Sequence, residues 1–391
     1  MERRPVVIIG GGPAGAATAL FLHARDPGLA REVLVLEKGR HPRPKVCAGG
    51  LIPHTLDCLR ELGVPLAVPN VVVHHAAVDV PGRRVTYTDG ELCRVVRRDE
   101  FDHSLVIACR DRGITVREDE KVVTLHRDGH GVRIETERGS YATAVVVGAD
   151  GSGSRVRRAL VDGGRLCVGK AVMCDVPVND RQWDGVSAAR YEFDFLPVQS
   201  GVRGYAWVFP CLIKGVPHAN VGVYSVDAVD AGARLRRVLR AHLARFEGEL
   251  LPVQAFPIRW YGEGVRIAAP HALLVGDAAG VDALMGEGIS YAFEYGRCAA
   301  QAIGQAVATG DFGFGDYASN VRRSWWGKKL RRLELGTRLF YGPTSRLWFA
   351  LAARSRHVQD IGIRWYNGVD GWDRRSGWDA VRACIRGAPE S

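Results

Sequence analysis

A Rossmann-like α/β fold, interrupted by a β-rich insertion and closed by helices, is predicted by three glycine-bearing segments in a fixed order along 391 residues. Val6-Val-Ile-Ile-Gly-Gly-Gly-Pro-Ala-Gly15 opens the chain. Val146-Val-Gly-Ala-Asp150-Gly151 lies in the middle. Leu273-Leu-Val-Gly276-Asp277-Ala-Ala-Gly280 comes late and is followed by Gly286-Glu-Gly288. The first and last are short apolar runs ending at glycine, the pattern of buried parallel strands. The stretch between the second and third carries strand-like alternation instead.

The elements follow in order. Val6 to Ile9 reads as a buried strand, Pro13 to Ala24 as a helix with proline near its start, and Glu32 to Glu37 as the second parallel strand, a βαβ opening. A loop rich in Pro, Arg and Gly spans Gly39 to Pro53. Val71 to Val96 alternates, with turn signals at Pro81-Gly82 and Asp89-Gly90, and predicts hairpins. Asp99 to Arg112 has helical apolar spacing. Strand-like pieces run through Val116, Val122 to Leu125, Val132 to Ile134 and Ala142 to Val147. Residues Lys170 to Pro257 are mostly β, broken by a helix at Ala231 to Phe246. A buried strand returns at Ala272 to Val275, a long helix follows from Gly288 to Ala306, and helices dominate from Tyr317. The expected division is a discontinuous dinucleotide domain (1–70, 95–165 and 265–310), a β-rich substrate domain (71–94 and 166–264) and a C-terminal helical region (311–391).

Composition narrows the class. Hydrophobic content of 47% and charged content of 25% are those of a globular protein. No apolar run approaches the ~18 residues that would span a bilayer. Met1-Glu-Arg-Arg-Pro5 leads straight into an apolar run and a glycine turn, unlike a secretory signal. Nine scattered cysteines without a CxxC pair argue against both a zinc site and a disulfide framework. A cytoplasmic location is expected and no metal is called. The net charge of +10 is densest between Arg322 and Arg356. It fits a solvated basic face, an anionic membrane surface or a pyrophosphate-bearing substrate. No nucleic-acid motif accompanies it.

Gly10, Gly12 and Gly15 form GxGxxG between a strand and a helix. The first glycine permits the tight turn, the second lets the backbone approach a pyrophosphate, and the third allows close helix–strand packing. Ala14 lies within this turn. The helix N-terminus adds positive potential toward phosphate. Glu37, followed by Lys38, ends the second strand, where a carboxylate accepts ribose hydroxyls. The late Gly276-Asp277 separates FAD from NAD, because a plain dehydrogenase needs no second segment of this kind. Gly286, Gly288 and Ile289 begin another helix, whose dipole suits the negative charge of reduced flavin. Asp150-Gly151 recurs between these as a supporting turn. Arg98 precedes a helix containing Asp102 and is a candidate either for the flavin or for a surface salt bridge.

These residues resemble the FAD-dependent geranylgeranyl reductase family, within the hydroxylase-type, glutathione-reductase-like flavoproteins. Three local signatures carry the likeness. Pro44-Lys45-Val46-Cys47-Ala48-Gly49-Gly50-Leu51 is similar to a Lys-x-Cys-x-Gly-Gly segment. Tyr205-Ala-Trp207-Val-Phe209-Pro210 matches YxWxFP. Gly276-Asp277 through Gly286-Glu-Gly-Ile289 matches a flavin-proximal segment. The resemblance implies noncovalent FAD and hydride delivery to a double bond of an isoprenoid or related hydrophobic substrate. Lys45, Cys47 and Ala48 then stand near the flavin, and Tyr205 and Trp207 line the substrate cavity. Cys47, Tyr205 and Trp207 are the candidate catalytic residues. The chain departs from the family at Ala283, where proline is usual, at Met285, where Ser or Thr is usual, and at Ala48, where glycine is common.

The residues alone leave other readings open. Cys47 sits in an electropositive loop with Arg43 and Lys45, although free cysteine is often a small buried hydrophobe. Tyr205 and Trp207 share one strand face, which suits a core as well as a cavity. The scaffold also accommodates an FAD-dependent monooxygenase. Halogenases of this group carry WxWxIP, from which Tyr205 and Phe209 depart. The tail residues Trp325, Trp326, Lys328, Lys329, Arg331 and Arg332 suit either a helical cap or a lipid interface. With no second GxGxxG, the electron donor is NAD(P)H bound transiently or a reduced electron-transfer protein.

Overall fold

The computed structural model describes residues 1–161, 167–227, 231–247, 252–354, 359, 362–364 and 366. Most of the C-terminal region beyond Arg354, Arg356 included, therefore lies outside the described residues.

Strand β1 (Glu2–Ile9) ends in the glycine turn, and α1 (Pro13–Arg25) starts on Pro13, whose missing N–H costs nothing at a helix start. The short helix α2 (Pro27–Arg31) leads to β2 (Leu34–Leu36). The second strand is shorter than the expected Glu32–Glu37 because Glu32 caps α2 and Glu37 turns its carboxylate to the glycine turn. The loop expected over Gly39 to Pro53 contains a two-residue strand, β3 (Gly50–Leu51), which enters α3 (Pro53–Glu61). β4 (Asn70–Val80) and β5 (Arg83–Val96) form one long hairpin. Pro81-Gly82 makes its turn. Asp89-Gly90, expected as a second turn, lies inside β5 at a register shift opposite His74. The extra residues bulge out and the strand resumes, so the pairing bends rather than reverses.

α4 (Arg98–Asp111) and β6 (Thr115–Arg117) are followed by an antiparallel meander of β7 (Val122–Asp128), β8 (Gly131–Thr136) and β9 (Ser140–Gly148). Next come β10 (Val168–Pro177), β11 (Arg190–Asp194), β12 (Gly204–Ile213), β13 (Val216–Ser225), α5 (Ala231–Leu243) and β14 (Gln254–Arg259). β15 (Ala268–Ala269) and β16 (Ala272–Leu274) return to the start, and α6 (Ile289–Thr309), α7 (Tyr317–Arg323), α8 (Trp325–Phe340) and α9 (Ser345–Arg354) complete the described helices.

Two sheets result. The first has the order β15-β16-β9-β1-β2-β6, parallel from β16 to β6, with the meander attached to β9. Its central strands are fully buried, as helices on its faces require. The second has the order β14-β10-β13-β12-β11-β4-β5-β3 and draws on two separate stretches of chain. One of its faces (Ala206, Val208, Val221 and Val223) packs under Leu235 and Leu239 of α5. The other packs Tyr205, Trp207 and Phe209 in a cluster with Ala48, Leu284 and Met285.

Helices α1 and α6 cross at close range. A side chain at Gly296 would meet Thr18 N at 2.8 Å and Ala17 at 2.9 Å, so only glycine admits this contact. In the tail, Trp326 is 1% exposed and packs edge-on against Tyr295, with ring centroids 4.6 Å apart. Lys329 is buried as well. These two residues belong to the helical cap and not to a lipid-facing surface.

Gly296→Val is expected to cost about 1–3 kcal/mol through overpacking of the α1–α6 contact. Urea unfolding of purified protein should show this as a lower midpoint, together with loss of bound flavin.

Candidate functional site

One cavity of about 580 Å³ runs from the glycine turn of β1–α1 to the aromatic face of the second sheet. Gly10, Gly12, Ala14, Glu37, Lys38, Lys45, Cys47, Ala48, Arg98, Asp150, Gly151, Tyr205, Trp207, Gly276, Asp277, Gly286, Gly288 and Ile289 all line it. Gly15 does not, and its part is packing: a Cβ there would sit 1.9 Å from the Gly10 carbonyl oxygen.

At one end the turn is built for a diphosphate. Gly10 has φ +112°, and a Cβ on it would lie 2.3 Å from the Ala149 carbonyl oxygen. A Cβ at Gly12 would find only Arg43 Nη2, at 3.8 Å, so this face of the backbone is open. No side chain caps the start of α1, which leaves its first N–H donors available to a ligand. Glu37 is 2% exposed. Its carboxylate accepts from Gly11 N–H (2.8 Å), Gly39 N–H (3.0 Å) and Arg43 Nη2 (3.1 Å), which fixes it at the cavity wall with lone pairs to spare for ribose hydroxyls. A cradle that a Cβ would fill, an uncapped helix end and a buried acid beside it fit the adenosine diphosphate half of FAD.

The middle and late motifs are tied to each other. Asp150 accepts from Ser154 Oγ (2.5 Å) and from the N–H groups of Arg155 (2.6 Å) and Val156 (3.2 Å), so its carboxylate is committed to the turn that follows β9. Ser152 Oγ donates to Asp277 Oδ2 at 3.2 Å. Buried Arg157 donates to the carbonyls of Ala278 (2.8 Å), Ala279 (3.3 Å) and Arg266 (2.9 Å). Burial lowers its pKa to about 10. Asp277 stands in a short 3₁₀ turn, Gly276–Ala278, and is not the N-cap of a following helix. Arg157 was not foreseen in the sequence, since nothing in its spacing marks an arginine that closes off carbonyls more than a hundred residues away.

Around the centre, Arg98 begins α4 and grips Asp102 with both arms of its guanidinium, at 2.7 and 2.9 Å, with 8% exposure. The pair is buried, unlike the surface bridge that the sequence also allowed. Burial opposes the charge of Arg98, but Asp102 and Cys47 beside it raise its pKa above the usual value. Cys47 Sγ accepts from Gly49 N–H at 3.4 Å. Lys45 Nζ lies 3.2 Å from the centroid of the Phe256 ring. Burial pulls its pKa down to about 8, against the opposing pull of Asp277. Gly288 caps α6, and Glu287 takes Ser290 N–H (2.8 Å) and Oγ (2.5 Å). A half-buried carboxylate therefore already answers part of the positive end of this helix.

The loop between β16 and α6 is strapped by tyrosines. The hydroxyls of Tyr224, Tyr341 and Tyr205 donate to the carbonyls of Ala283 (3.0 Å), Leu284 (2.7 Å) and Met285 (2.5 Å). Asp282, fully buried, accepts from Leu284 N–H (2.7 Å) and Met285 N–H (3.2 Å). Burial raises its carboxyl to about 7. Beyond this loop the cavity is aromatic. Tyr191, Phe193, Tyr205, Trp207, Phe209 and Phe256 line it, with Phe193–Tyr205 and Phe193–Phe209 centroids both 5.4 Å apart. Trp207 lies flat across Gly222 of β13, where a Cβ would come within 2.0 Å of the indole. Its N–H donates to Asn220 Oδ1 at 2.7 Å. Tyr205 and Trp207 are thus both buried and cavity-lining. The alternation of Tyr191 and Phe193 in β11 could have marked them from sequence; Tyr341 and Phe256 carried no such signal.

The profile of the family described as an FAD binding domain matches residues 3–211. A menaquinone reductase of Mycolicibacterium smegmatis is 29% identical over 340 residues, covering 81% of this chain and 79% of that protein. A chloroplastic geranylgeranyl diphosphate reductase of Oryza sativa subsp. japonica is 28% identical over 339 residues, covering 79% and 68%. Among solved structures, a geranylgeranyl bacteriochlorophyll reductase-like protein from Thermoplasma acidophilum superposes with TM-score 0.72 at 22% identity over 100% of this chain and 98% of the other. A flavin-dependent brominase does so with TM-score 0.73 at 20% identity over 98% of each. These two likenesses are of fold.

Asp282 generates a pH prediction. Its folded pKa is raised, so its contribution to stability is complete below the ordinary aspartate range and is lost as pH rises from about 4 through about 7. Asp282→Asn should flatten that slope by a few kcal/mol, read from denaturant midpoints across the range. Separately, Gly222→Ala should expel the Trp207 indole and change its fluorescence, with a cost of about 1–3 kcal/mol.

Proposed function

We propose, for a chain that belongs to the FAD binding domain family, that it is an FAD-dependent reductase of carbon–carbon double bonds in an isoprenoid or related hydrophobic substrate. One observation carries the reading: the dinucleotide cradle and the aromatic sleeve are two ends of the same cavity, with Cys47 and Gly286 to Ile289 between them. A sleeve of this composition has few polar groups to offer and suits a ligand that has few of its own. The likeness to reductases of geranylgeranyl diphosphate and menaquinone supports the same substrate class.

Bound and reduced FAD would supply the hydride. The residues of the chain divide the remaining work. Gly10, Gly12, Ala14 and Gly15 shape the pyrophosphate turn, Glu37 and Lys38 hold the adenosine side, and Asp150-Gly151 supports them. Lys45, Ala48, Arg98, Gly276, Asp277, Gly286, Gly288 and Ile289 surround the flavin. Cys47 would stand at the edge of a bound flavin, and Tyr205 and Trp207 would exclude water and align a prenyl chain. The Tyr205 hydroxyl, held by the Met285 carbonyl, keeps the loop beside the ring in place.

The electron donor is NAD(P)H docking transiently at the cavity mouth or a reduced electron-transfer protein. No described helix is long and apolar enough to cross a membrane. Peripheral contact with an anionic surface is a secondary reading, favoured by Leu335, 56% exposed, between the exposed Arg331 and Arg338 on α8.

The test is anaerobic reduction followed by rapid mixing, with flavin spectra recorded. Fast anaerobic reoxidation by a geranylgeranyl lipid, with slow and featureless reoxidation by O2, is the expected result. Rapid oxidation by O2 through an absorbing intermediate, with no response to the lipid, would favour a monooxygenase and overturn the reading. Cys47→Ala should keep FAD and lose turnover on the order of 10²-fold; full activity removes Cys47 from the chemistry.

A further inference from the structure

A second cavity, of about 420 Å³, lies among α3, α6 and the start of α8, and shares no lining residue with the first. Three side chains with metal-ligating atoms converge there. His54 and Cys58 stand one turn apart on α3, and Glu294 reaches them from α6, 240 residues further along the chain. Their donor atoms all lie within 4.8 Å of one another. His54 Nε2 is 2.8 Å from Glu294 Oε1 and 3.7 Å from Cys58 Sγ. Cys58 and Glu294 are 1% and 5% exposed. The edge of the His54 ring is set by Trp325, at a centroid distance of 4.9 Å and an interplanar angle of 86°.

We propose that His54, Cys58 and Glu294 bind a divalent transition-metal ion, Zn2+ by the character of the donors. One imidazole nitrogen, one thiolate and one carboxylate is a mixed set that zinc accepts. Tetrahedral zinc holds such atoms about 3.3–3.6 Å apart. The nitrogen–sulfur spacing already fits; the carboxylate must withdraw from the imidazole by about half an ångström and close on the thiolate, since the three donor atoms span up to 4.8 Å before an ion draws them in. Charge favours the ion. Arg297 borders the site, 3.6 Å from Cys58 Sγ and 3.5 Å from Glu294 Oε2, and its guanidinium also pairs with Glu61. Glu61, Glu294 and a Cys58 thiolate against the one positive charge of Arg297 still leave two negative charges for a divalent cation, with Arg297 shared between the two carboxylates and the thiolate. Cys298, one turn beyond Glu294 on α6, lines the same cavity and offers a fourth position, as does water.

The ion would act as a clip. α3 follows the loop that carries Cys47, and α6 starts at Gly288, so a bond between them fixes two walls of the first cavity from behind. The inference does not rest on the reductase reading. No local spacing announces the site, because its ligands come from two distant helices.

The test uses the full FAD-loaded chain, stripped with chelator under reducing conditions and titrated with Co2+. Tetrahedral cobalt absorption in the red, clear of the flavin, should saturate at one ion per chain and disappear when Zn2+ is added. Cys58→Ser should at least halve the thiolate-to-cobalt band, and abolish it where water rather than Cys298 is the fourth ligand; His54→Ala should weaken Zn2+ uptake at least about 10-fold. Retained FAD checks the fold of each variant; where one fails that check, Glu294→Gln decides in its place. Absence of cobalt absorption in the unmodified chain, or absorption that survives all three substitutions, means an ion-pair cluster only and overturns the proposal.

Discussion

The close crossing of α1 and α6 is the constraint on which the site depends. Each helix begins at the cavity, α1 after the first glycine turn and α6 after Gly288. Their N-termini can face one ligand only if their axes approach without a side chain between them. Gly296 and Ala17 permit that approach. The parallel strands then follow from it: β1, β9 and β16 must end at the same level for three remote segments to meet. The links Ser152–Asp277 and Arg157–Ala278 hold that level after the backbone pairing stops.

The second sheet solves a different problem. Both faces of its central strands β10, β12 and β13 are buried, yet only one is a conventional core, the one covered by α5. The other is an aromatic surface that packs partly on itself and partly against open volume. Aromatic rings tolerate this because edge-to-face contacts keep them ordered without complete enclosure. Asn220 takes the Trp207 N–H and also donates to Asp175, which in turn pairs with Arg97. The polar atom of the indole is thereby drawn away from the cavity, and the wall presented to a ligand is carbon.

Much of the first sheet was legible in the sequence. Val6 to Ile9, the glycine turn and Ala272 to Val275 are local patterns with few alternative conformations. The errors came where a local signal met a non-local partner. Asp89-Gly90 has the composition of a turn, but β4 continues past it and the pairing absorbs the extra residues as a bulge. For Trp326 and Lys329 the sequence left a helical cap and a lipid interface both open, and Tyr295, which lies above the tryptophan and completes a core, decides for the cap at these two residues. The strap of hydroxyls from Tyr205, Tyr224 and Tyr341 had no sequence signal, since a tyrosine reveals nothing of the carbonyl it will meet.

That strap has a consequence for how such a protein can change. The three tyrosines hold Ala283, Leu284 and Met285 by backbone oxygen alone, and carbonyl oxygens are the same whatever side chain follows them. The loop between β16 and α6 can therefore take a proline at Ala283 or a hydroxyl residue at Met285 while its path is kept. Shape and content of the pocket are uncoupled at this point. A lineage could explore new ligands one side chain at a time, on a frame that does not have to be rebuilt at each step.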